Sequence, residues 1–398
     1  MPVDAVFTFS YETYADARAR EMMRPPDRIL ETLIAEQDEG GIGRLLVANP
    51  FRSVVTVAAH RLLRDQPAFP ATDVRQLFEP MRLARSDAAD PAEVARQYAA
   101  YDRALRRAAA RFGLERPAVI TTNPVIAGFA PLAWAGSVTY FGRDDWLTTP
   151  AKRRWWPVYA EAYARIARSG IAVTAVSRQI IDRIAASGVD AGGLRGASAV
   201  VPNGVDPREW LGPAAAPPAW FAALPAPRAV HVGTLDTRID VEGIAALAAA
   251  RPELSIVLLG SVPDERDVAP LRPVPNITIA PHVGRAELVA VLRATEITLL
   301  AHRRTPLTEA MSPLKLYEYL AAGAPVLAVD LPPVRGLGPR VLLTEDVAGF
   351  AGATDAALAL GRAPESDRER FVDDNSWRSR HRALLELALP AGANISPR

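Results

Sequence analysis

Short apolar runs alternate with amphipathic stretches along nearly the whole chain. The runs are rich in Val, Ile and Leu and have the length of buried strands, whereas the stretches between them repeat their apolar residues with the period of a helix. Strands that alternate with helices form parallel sheets covered by helices, so we predict an α/β fold. The predicted strands are 5–9, 44–48, 118–121, 137–141, 171–176 and 199–201, followed by 229–232, 255–259, 277–280, 297–300, 326–329 and 341–343.

The strands fall into two groups, and a stretch rich in Pro and Ala at 212–227 lies between them. Its composition is typical of a linker rather than of a helix or a strand. We therefore predict two Rossmann-like domains with open parallel sheets that face each other across a cleft. The predicted boundaries are 1–205 for the N-terminal domain, 206–375 for the C-terminal domain, and 376–398 for a tail and a terminal helix that packs back on the N-terminal domain.

Composition narrows the possible functions. The 398 residues carry a formal net charge of +1, which gives no global attraction for nucleic acid. The chain has no cysteine, so disulfides and thiolate metal sites are excluded. Its five histidines show no metal-ligand spacing, and we expect no metal and no separate cofactor. No apolar run reaches the ~20 residues of a membrane helix, so we expect a cytoplasmic protein without a transmembrane segment.

The segment 312–326, SPLKLYEYLAAGAPV, predicts a short helix with well-marked ends. Ser312 suits the N-cap, and Pro313 suits the first helical position. Gly323 suits the left-handed conformation that follows a last turn. Lys315 lies in the first turn, where free N–H groups and the helix dipole already place positive charge. A cation there costs roughly 0.3–1 kcal/mol, so we expect an anion to compensate it.

The chain has only two lysines, Lys152 and Lys315, whereas its arginines are numerous. One interpretation is that Lys315 forms a surface ion pair with Glu318 or Glu309. The other is that Lys315 and the N–H groups of the first turn together bind a diphosphate. We favour the second.

Four motifs resemble the group-1-type, nucleotide-sugar-dependent glycosyltransferases of the GT-B fold. The first, 312–326, is similar to the donor-site helix of that family. The resemblance implies the GT-B fold and transfer of a sugar from a nucleoside diphosphate sugar to an acceptor hydroxyl. The other three motifs are VPNGVD at 201–206, VGTL at 232–235 with Asp240, and NSWR at 375–378.

The resemblance also implies roles for individual residues. Glu318 matches the glutamate that binds the ribose of the donor, and Lys315 matches a residue beside the diphosphate. Two glutamates of the retaining members enclose seven residues, whereas Glu309 and Glu318 enclose eight, so the sugar-contacting role is not transferred to Glu309 and the stereochemical outcome stays open. The predicted donor-binding set is Gly233, Thr234, Arg238, Ser312, Leu314, Lys315 and Glu318.

The chemistry requires charge to be stabilised on the leaving diphosphate, and Lys315 with the helix N–H groups is predicted to do so without an obligatory metal ion. A carboxylate that takes the proton of the acceptor hydroxyl is also needed in an inverting reaction. Asp145 is the first candidate and Asp144 the second, because both follow a predicted strand. The alternative is that these aspartates cap a helix or pair with Arg143.

Acceptor contacts are predicted from position alone. Ser10, Tyr11, Asn49 and Pro50 follow first-domain strands, where ligands of open sheets bind. The segment 152–156, KRRWW, mixes cations with aromatic residues. This mixture indicates either peripheral contact with the inner face of the membrane or tryptophans that pack inward beneath solvated arginines. A sugar, a lipid-linked sugar and a natural product are all open as acceptors.

Two other functions fit the same architecture. A sugar-nucleotide 2-epimerase would bind the same donor but needs no acceptor. A non-catalytic auxiliary subunit would bind sugar nucleotide without reaction. A dehydrogenase is excluded, because the glycines of 40–43 precede a predicted strand instead of following one.

Overall fold

The computed structural model describes residues 2–63, 67–84, 87–188, 192–390, 392, 393 and 395. In it the chain divides into two units. Unit 1 contains Met1–Pro202 and Trp377–Arg398, and unit 2 contains Asn203–Ser376. The chain therefore passes from unit 1 to unit 2 three residues before the predicted boundary, and the predicted tail lies largely outside the described residues.

Unit 1 is built on a parallel sheet with the strand order β4-β2-β1-β6-β7-β8-β9. Its inner strands are mostly buried and largely apolar, because helices cover both faces. Two further short strands, β3 and β5, pair with each other. The strands are β1 (Val3–Thr8), β2 (Ile42–Ala48), β3 (Arg52–Ser53), β4 (Arg75–Phe78), β5 (Met81–Arg82), β6 (Ala118–Thr121), β7 (Ser137–Gly142), β8 (Ala172–Ala175) and β9 (Ser198–Val200).

Helices connect the strands of unit 1, and their ends follow ordinary capping chemistry. The long arginine-rich helix, for example, starts after Asp90, whose side chain accepts a hydrogen bond from the N–H of Glu93. A 3-10 helix, Pro150–Trp155, precedes the sixth helix. The helices are α1 (Tyr14–Ala19), α2 (Pro25–Asp38), α3 (Val54–Leu63), α4 (Pro91–Arg111), α5 (Pro124–Phe129), α6 (Trp156–Ser169) and α7 (Arg178–Ala186).

Unit 2 has one parallel sheet with the order β12-β11-β10-β13-β14-β15. Its strands are β10 (Arg228–Val232), β11 (Ser255–Leu259), β12 (Ile277–Ala280), β13 (Ile297–Leu300), β14 (Val326–Val329) and β15 (Val341–Thr344). Its helices are α8 (Pro207–Trp210), α9 (Ala219–Ala222), α10 (Val241–Ala250), α11 (Arg285–Arg293), α12 (Pro306–Ala310), α13 (Leu314–Ala322), α14 (Phe350–Leu360) and α15 (Glu365–Asp374), with 3-10 turns at Glu265–Asp267, Ala269–Leu271 and Pro332–Val334.

Both sheets reverse their strand order at one internal point, as doubly wound sheets do. In unit 1 the reversal lies between β1 and β6, and in unit 2 it lies between β10 and β13. Ligands of such sheets bind in the crevice beyond the carboxyl ends of the strands at the reversal. The predicted α/β class with two open parallel sheets is confirmed, and its topology gives each unit one preferred place for a ligand.

The predicted linker is wrong. Residues 212–227 belong to unit 2, where α9 places Phe221 in the core with no exposed surface. The composition rich in Pro and Ala misled the prediction, because a short helix with one buried aromatic residue suffices to attach this segment to unit 2. The strand β4 was not predicted either, since its sequence RQLF lacks an apolar run.

The last helix, α16 (Trp377–Ala388), returns to unit 1 and packs on α2. Its buried His381 shares a hydrogen bond of 2.7 Å between Nδ1 and the hydroxyl of Thr32. Arg378 adds ion pairs with Glu36 and Glu39 of the same unit. None of the helices formed by the described residues is both long enough and apolar enough to span a membrane.

Candidate functional site

The helix predicted within 312–326, α13, begins one residue later than predicted. Pro313 occupies the N-cap position of α13, and no side chain caps the helix. The predicted cap, Ser312, is wrong because its carbonyl and hydroxyl oxygens accept hydrogen bonds from Asn203, the carbonyl at 2.6 Å from Nδ2. The N–H groups of Leu314 and Lys315 therefore start a helix whose amino end lacks a side-chain cap, an arrangement that favours an anion.

Lys315 lies against the glycine turn that follows β10. Gly233 has φ +138°, and a Cβ atom built on it would lie 2.1 Å from Lys315 Nζ. Gly260, after β11, has φ +157°, and its Cβ would lie 1.9 Å from the carbonyl oxygen of Gly233. Tyr319 fixes the end of β10, because its hydroxyl accepts a hydrogen bond of 2.8 Å from Val232 N. Only glycine fits where these two strand ends and the lysine approach one another.

The charge of Lys315 is held without a close carboxylate. The part of the chain that the structure describes gives Lys315 no ion pair within 4.0 Å. Burial and the nearby charge of Arg238 lower the pKa of Lys315 to about 8, although Glu318 and Asp236 act in the opposite direction. The surface ion pair is not formed, since Glu318 pairs with Arg285 and Glu309 with Arg304.

Two buried histidines lie close to this lysine. The ring centroids of His231 and His302 are 5.9 Å apart, and both residues are at most 2 % exposed. Burial first, and the charge of Lys315 second, hold the pKa of each histidine well below 6.5. His231 Nδ1 lies 3.0 Å from the carbonyl oxygen of Leu299, so its ring is fixed in place. Burial and the charge of Lys315 both disfavour a positive charge on either histidine. Nothing in their sequence spacing had indicated this pair.

Glu318 is buried and belongs to an ionic network. Its Oε1 accepts a hydrogen bond of 2.5 Å from Arg285 Nη1, and the same guanidinium donates to Glu209. The charges of Glu318 and Glu209 raise the pKa of Arg285 although burial opposes them. A carboxylate has about four acceptor positions, so Glu318 keeps capacity for a ribose hydroxyl. Arg285 was not predicted, because 33 residues separate it from Glu318.

The remaining predicted donor residues are placed around the same turn. Arg238 forms a bidentate ion pair with Asp236, with Nη2 and Oδ2 2.7 Å apart. The pKa of Asp236 is lowered: burial raises it, but hydrogen bonds from Arg238 outweigh that effect. Thr234 is half-buried in the turn between Gly233 and these two residues. The turn therefore brings a second cation, Arg238, near Lys315, but Asp236 already balances the charge of this arginine.

The two predicted bases differ in their surroundings. Asp145 is 3 % exposed, its Oδ1 accepts from Leu147 N at 3.1 Å, and its Oδ2 lies 3.2 Å from Arg183 Nε. Burial raises the pKa of Asp145 although the Leu147 N–H and Arg183 lower it. The side chain of Asp144 is 41 % exposed and pairs with Arg143 Nε at 3.1 Å. Neither carboxylate lines the unit 1 cavity described next.

Unit 1 carries a cavity of about 150 Å³ at its own reversal point. Ser10 and Tyr11 follow β1, Phe51 follows β2 and Asn123 follows β6, and all four line it. The cavity wall includes three of the predicted acceptor contacts, Ser10, Tyr11 and Pro50. The fourth, Asn49, does not line the cavity, and its side chain accepts a hydrogen bond from Tyr14 N. The other lining residues are Arg52, Arg82, Asp87, Ala88, Val94, Gln97, Tyr98, Val125, Lys152, Trp155, Val158 and Tyr159.

Comparison with known proteins agrees with this architecture. A family model described as "Glycosyl transferase-like" matches residues 241–386. A Bacillus subtilis (strain 168) protein named as a candidate teichuronic acid biosynthesis glycosyltransferase, TuaH, is 27% identical over 103 residues. That match covers 25% of this chain, and the chain spans only 26% of the length of this relative.

Solved structures match over almost the full chain. An α,α-trehalose 6-phosphate synthase from Burkholderia multivorans has a TM-score of 0.65 at 14% identity and 100% coverage of both chains. A sucrose-phosphate synthase from Thermosynechococcus elongatus has 0.63 at 15% identity, covering 96% of this chain and 98% of its own. The Anabaena protein HepE, solved with UDP and glucose, has 0.59 at 14% identity, covering 96% and 98%. The chain thus has the GT-B fold of these solved structures.

Proposed function

We propose that this protein transfers a sugar from a nucleoside diphosphate sugar to an acceptor hydroxyl. The observation that carries the proposal is the position of Lys315, which combines the uncapped start of α13 with the glycine turn at the reversal of the unit 2 sheet. A diphosphate supplies the negative charge that this cation and these N–H groups lack. The structural neighbour solved with UDP and glucose supports the same donor class.

In the proposed reaction the bond between the anomeric carbon and the diphosphate oxygen breaks, and the acceptor oxygen bonds to the anomeric carbon. Negative charge develops on the leaving diphosphate, where Lys315 and the N–H groups of Leu314 and Lys315 stabilise it. We propose that this set makes a divalent ion dispensable. Activity that persists in excess EDTA supports this, and activity restored only by a divalent ion contradicts it.

An inverting reaction requires a carboxylate that takes the proton of the acceptor hydroxyl. We favour the exposed Asp144 over Asp145, because both oxygens of Asp145 are already engaged within unit 1. Asp87 joins the candidates, because it lines the unit 1 cavity, where it pairs with Arg82. The base is the residue whose change to Asn lowers kcat by roughly 10²–10⁴-fold while nucleotide binding is retained.

The donor site is tested by thermal shift with UDP, GDP, dTDP and ADP. One nucleotide at ~100 times its Kd adds about 2.7 kcal/mol of stability. The shift should disappear in Lys315→Ala and shrink in Glu318→Gln, whereas the exposed control Arg266→Ala in unit 2 should keep it. A flat response of the unmodified protein to all four nucleotides contradicts the proposal.

Product analysis then separates transfer from the other functions of this fold. A transferase forms a glycoside only when an acceptor is present, whereas an epimerase converts the sugar nucleotide alone. Nucleotide binding with neither product indicates an auxiliary subunit. A lipid-linked acceptor, membrane contact and the cytoplasmic location stay predictions.

A further inference from the structure

The lining of the unit 1 cavity mixes polar and charged side chains with aromatic ones. The polar and charged residues with side chains other than phenol or indole are Ser10, Arg52, Arg82, Asp87, Gln97, Asn123 and Lys152. Three of these side chains are cations and one is a carboxylate, so the lining favours a ligand that carries negative charge.

The charges of the lining residues point the same way. Arg52 is paired with Asp16 at 3.0 Å, and Arg82 is paired with Asp87. Lys152 has no carboxylate within 4.0 Å in the described ranges, and its Nζ lies 4.7 Å from the ring centroid of Tyr11 and 5.5 Å from that of Trp155. The ammonium is thus held by aromatic faces at the wall of the cavity. One uncompensated positive charge remains there.

The walls and the volume suit a sugar ring. Aromatic side chains of Tyr11, Phe51, Tyr98, Trp155 and Tyr159 surround the space. Sites for small molecules combine such apolar walls with a few polar groups that fix orientation. The volume between these walls is about 150 Å³.

We propose that the unit 1 cavity binds a phosphorylated hexose, with the ammonium of Lys152 directed at the phosphate. This inference rests on the proposed function, because it names the acceptor class of the same enzyme. A phosphate supplies the negative charge that balances Lys152, and its oxygens accept strong charge-assisted hydrogen bonds from an ammonium. The phosphate is either that of a free sugar phosphate or that of a lipid-linked one.

Binding of glucose 6-phosphate, mannose 6-phosphate, glucose 1-phosphate and unmodified glucose is measured by calorimetry on the full-length protein. We expect at least one phosphorylated hexose to bind, and Lys152→Met to weaken it by roughly 10- to 100-fold, because a hydrogen bond to a charged group is lost. Lys152→Arg should restore most of the affinity. Arg153→Ala is the matched control, since Arg153 is the next residue, is exposed and does not line the cavity.

A second arm separates the two sources of phosphate. Vesicles of phosphatidylcholine with and without undecaprenyl phosphoglucose, a lipid-linked hexose phosphate, are floated with the protein and with Lys152→Met. Lysine-dependent flotation only with the phosphorylated lipid assigns a lipid-linked ligand, and lysine-dependent binding of a free sugar phosphate assigns a soluble one. The proposal is overturned if no phosphorylated probe binds, or if Lys152→Met binds as the unmodified protein does. A nucleotide thermal shift in the same samples shows whether the donor proposal fails as well.

Discussion

The two reversal points occupy the same place in two sheets of the same kind, yet their chemistry differs. In unit 2 the strand ends carry Gly233 and Gly260, so main chain, helix start and lysine come together. In unit 1 the strand ends carry Tyr11, Phe51 and Asn123, and side chains enclose a cavity. The fold therefore selects where a ligand binds, and the residues that follow each strand select what binds.

The two lysines of the chain sharpen this contrast. Lys315 lies beside a glycine turn and two buried histidines, where burial lowers its pKa to about 8. Lys152 lies over the rings of Tyr11 and Trp155, which stabilise a cation through their π faces. A desolvated ammonium at a helix start suits a leaving diphosphate, whereas an ammonium held on aromatic faces suits a bound sugar phosphate.

The largest effect is expected from Lys315→Ala. Loss of one preorganised donor at a developing oxyanion commonly costs about 10²–10³-fold in rate. We expect kcat/KM for the sugar nucleotide to fall by roughly that factor, while hexose phosphate binding to unit 1 stays unchanged. Steady-state kinetics and calorimetry on the same preparation test both parts. A variant with full activity would remove the unit 2 site from the mechanism.

Gly233→Ala should have the next largest effect. Its Cβ would meet Lys315 Nζ at 2.1 Å and its φ of +138° is strained for any other residue. Because the lysine must move, we expect nucleotide affinity to fall by roughly 10- to 100-fold and stability by about 1–3 kcal/mol. Calorimetry and thermal unfolding measure the two.

The matched control for this glycine is Gly352→Ala. Gly352 lies near the start of α14, where a Cβ would meet nothing within 4 Å. This variant should bind nucleotide normally and unfold at the same or a slightly higher temperature. Equal loss of affinity in both variants would show that the effect of Gly233→Ala does not arise at the donor site.

Much of the fold on which this contrast rests could be predicted from local sequence. The strands Ala118–Thr121, Ser255–Leu259 and Val326–Val329 follow from their apolar runs, and the end of α13 follows from Gly323. The ion pair of Arg285 with Glu318 and the convergence of Tyr11, Gln97 and Trp155 on one cavity could not, because they join residues far apart in the chain. The pairing of those distant segments depends on sheet order rather than on local pattern.

A pH profile tests the state of Lys315. Its pKa is lowered to about 8, so the ammonium that we propose binds diphosphate is present below that pH and is lost above it. We expect kcat/KM to fall about tenfold per pH unit above pH 8, since this parameter reports the free enzyme. Lys315→Arg should abolish this limb, because a guanidinium stays charged. Persistence of the limb in that variant assigns it to another group.

Asp145→Asn is expected to have the smallest effect, and its sign separates a structural aspartate from a catalytic one. Burial raises the pKa of Asp145 above its ordinary 3.8, so the ionised carboxylate costs stability. The folded protein therefore loses stability as the pH rises from the ordinary pKa of the unfolded chain through the raised pKa of the folded one. The amide removes this cost at neutral pH and still accepts the hydrogen bond from Leu147 N. The ion pair with Arg183 offsets little of this cost, because the arginine is 49 % exposed.

Thermal unfolding of Asp145→Asn at pH 7 should therefore show a change below about 1 kcal/mol, toward higher stability, with kcat within a few-fold of the unmodified enzyme. A loss of kcat by 100-fold or more, with the fold intact, would make Asp145 the base and would give unit 1 a buried carboxylate that is kept for catalysis at the expense of stability.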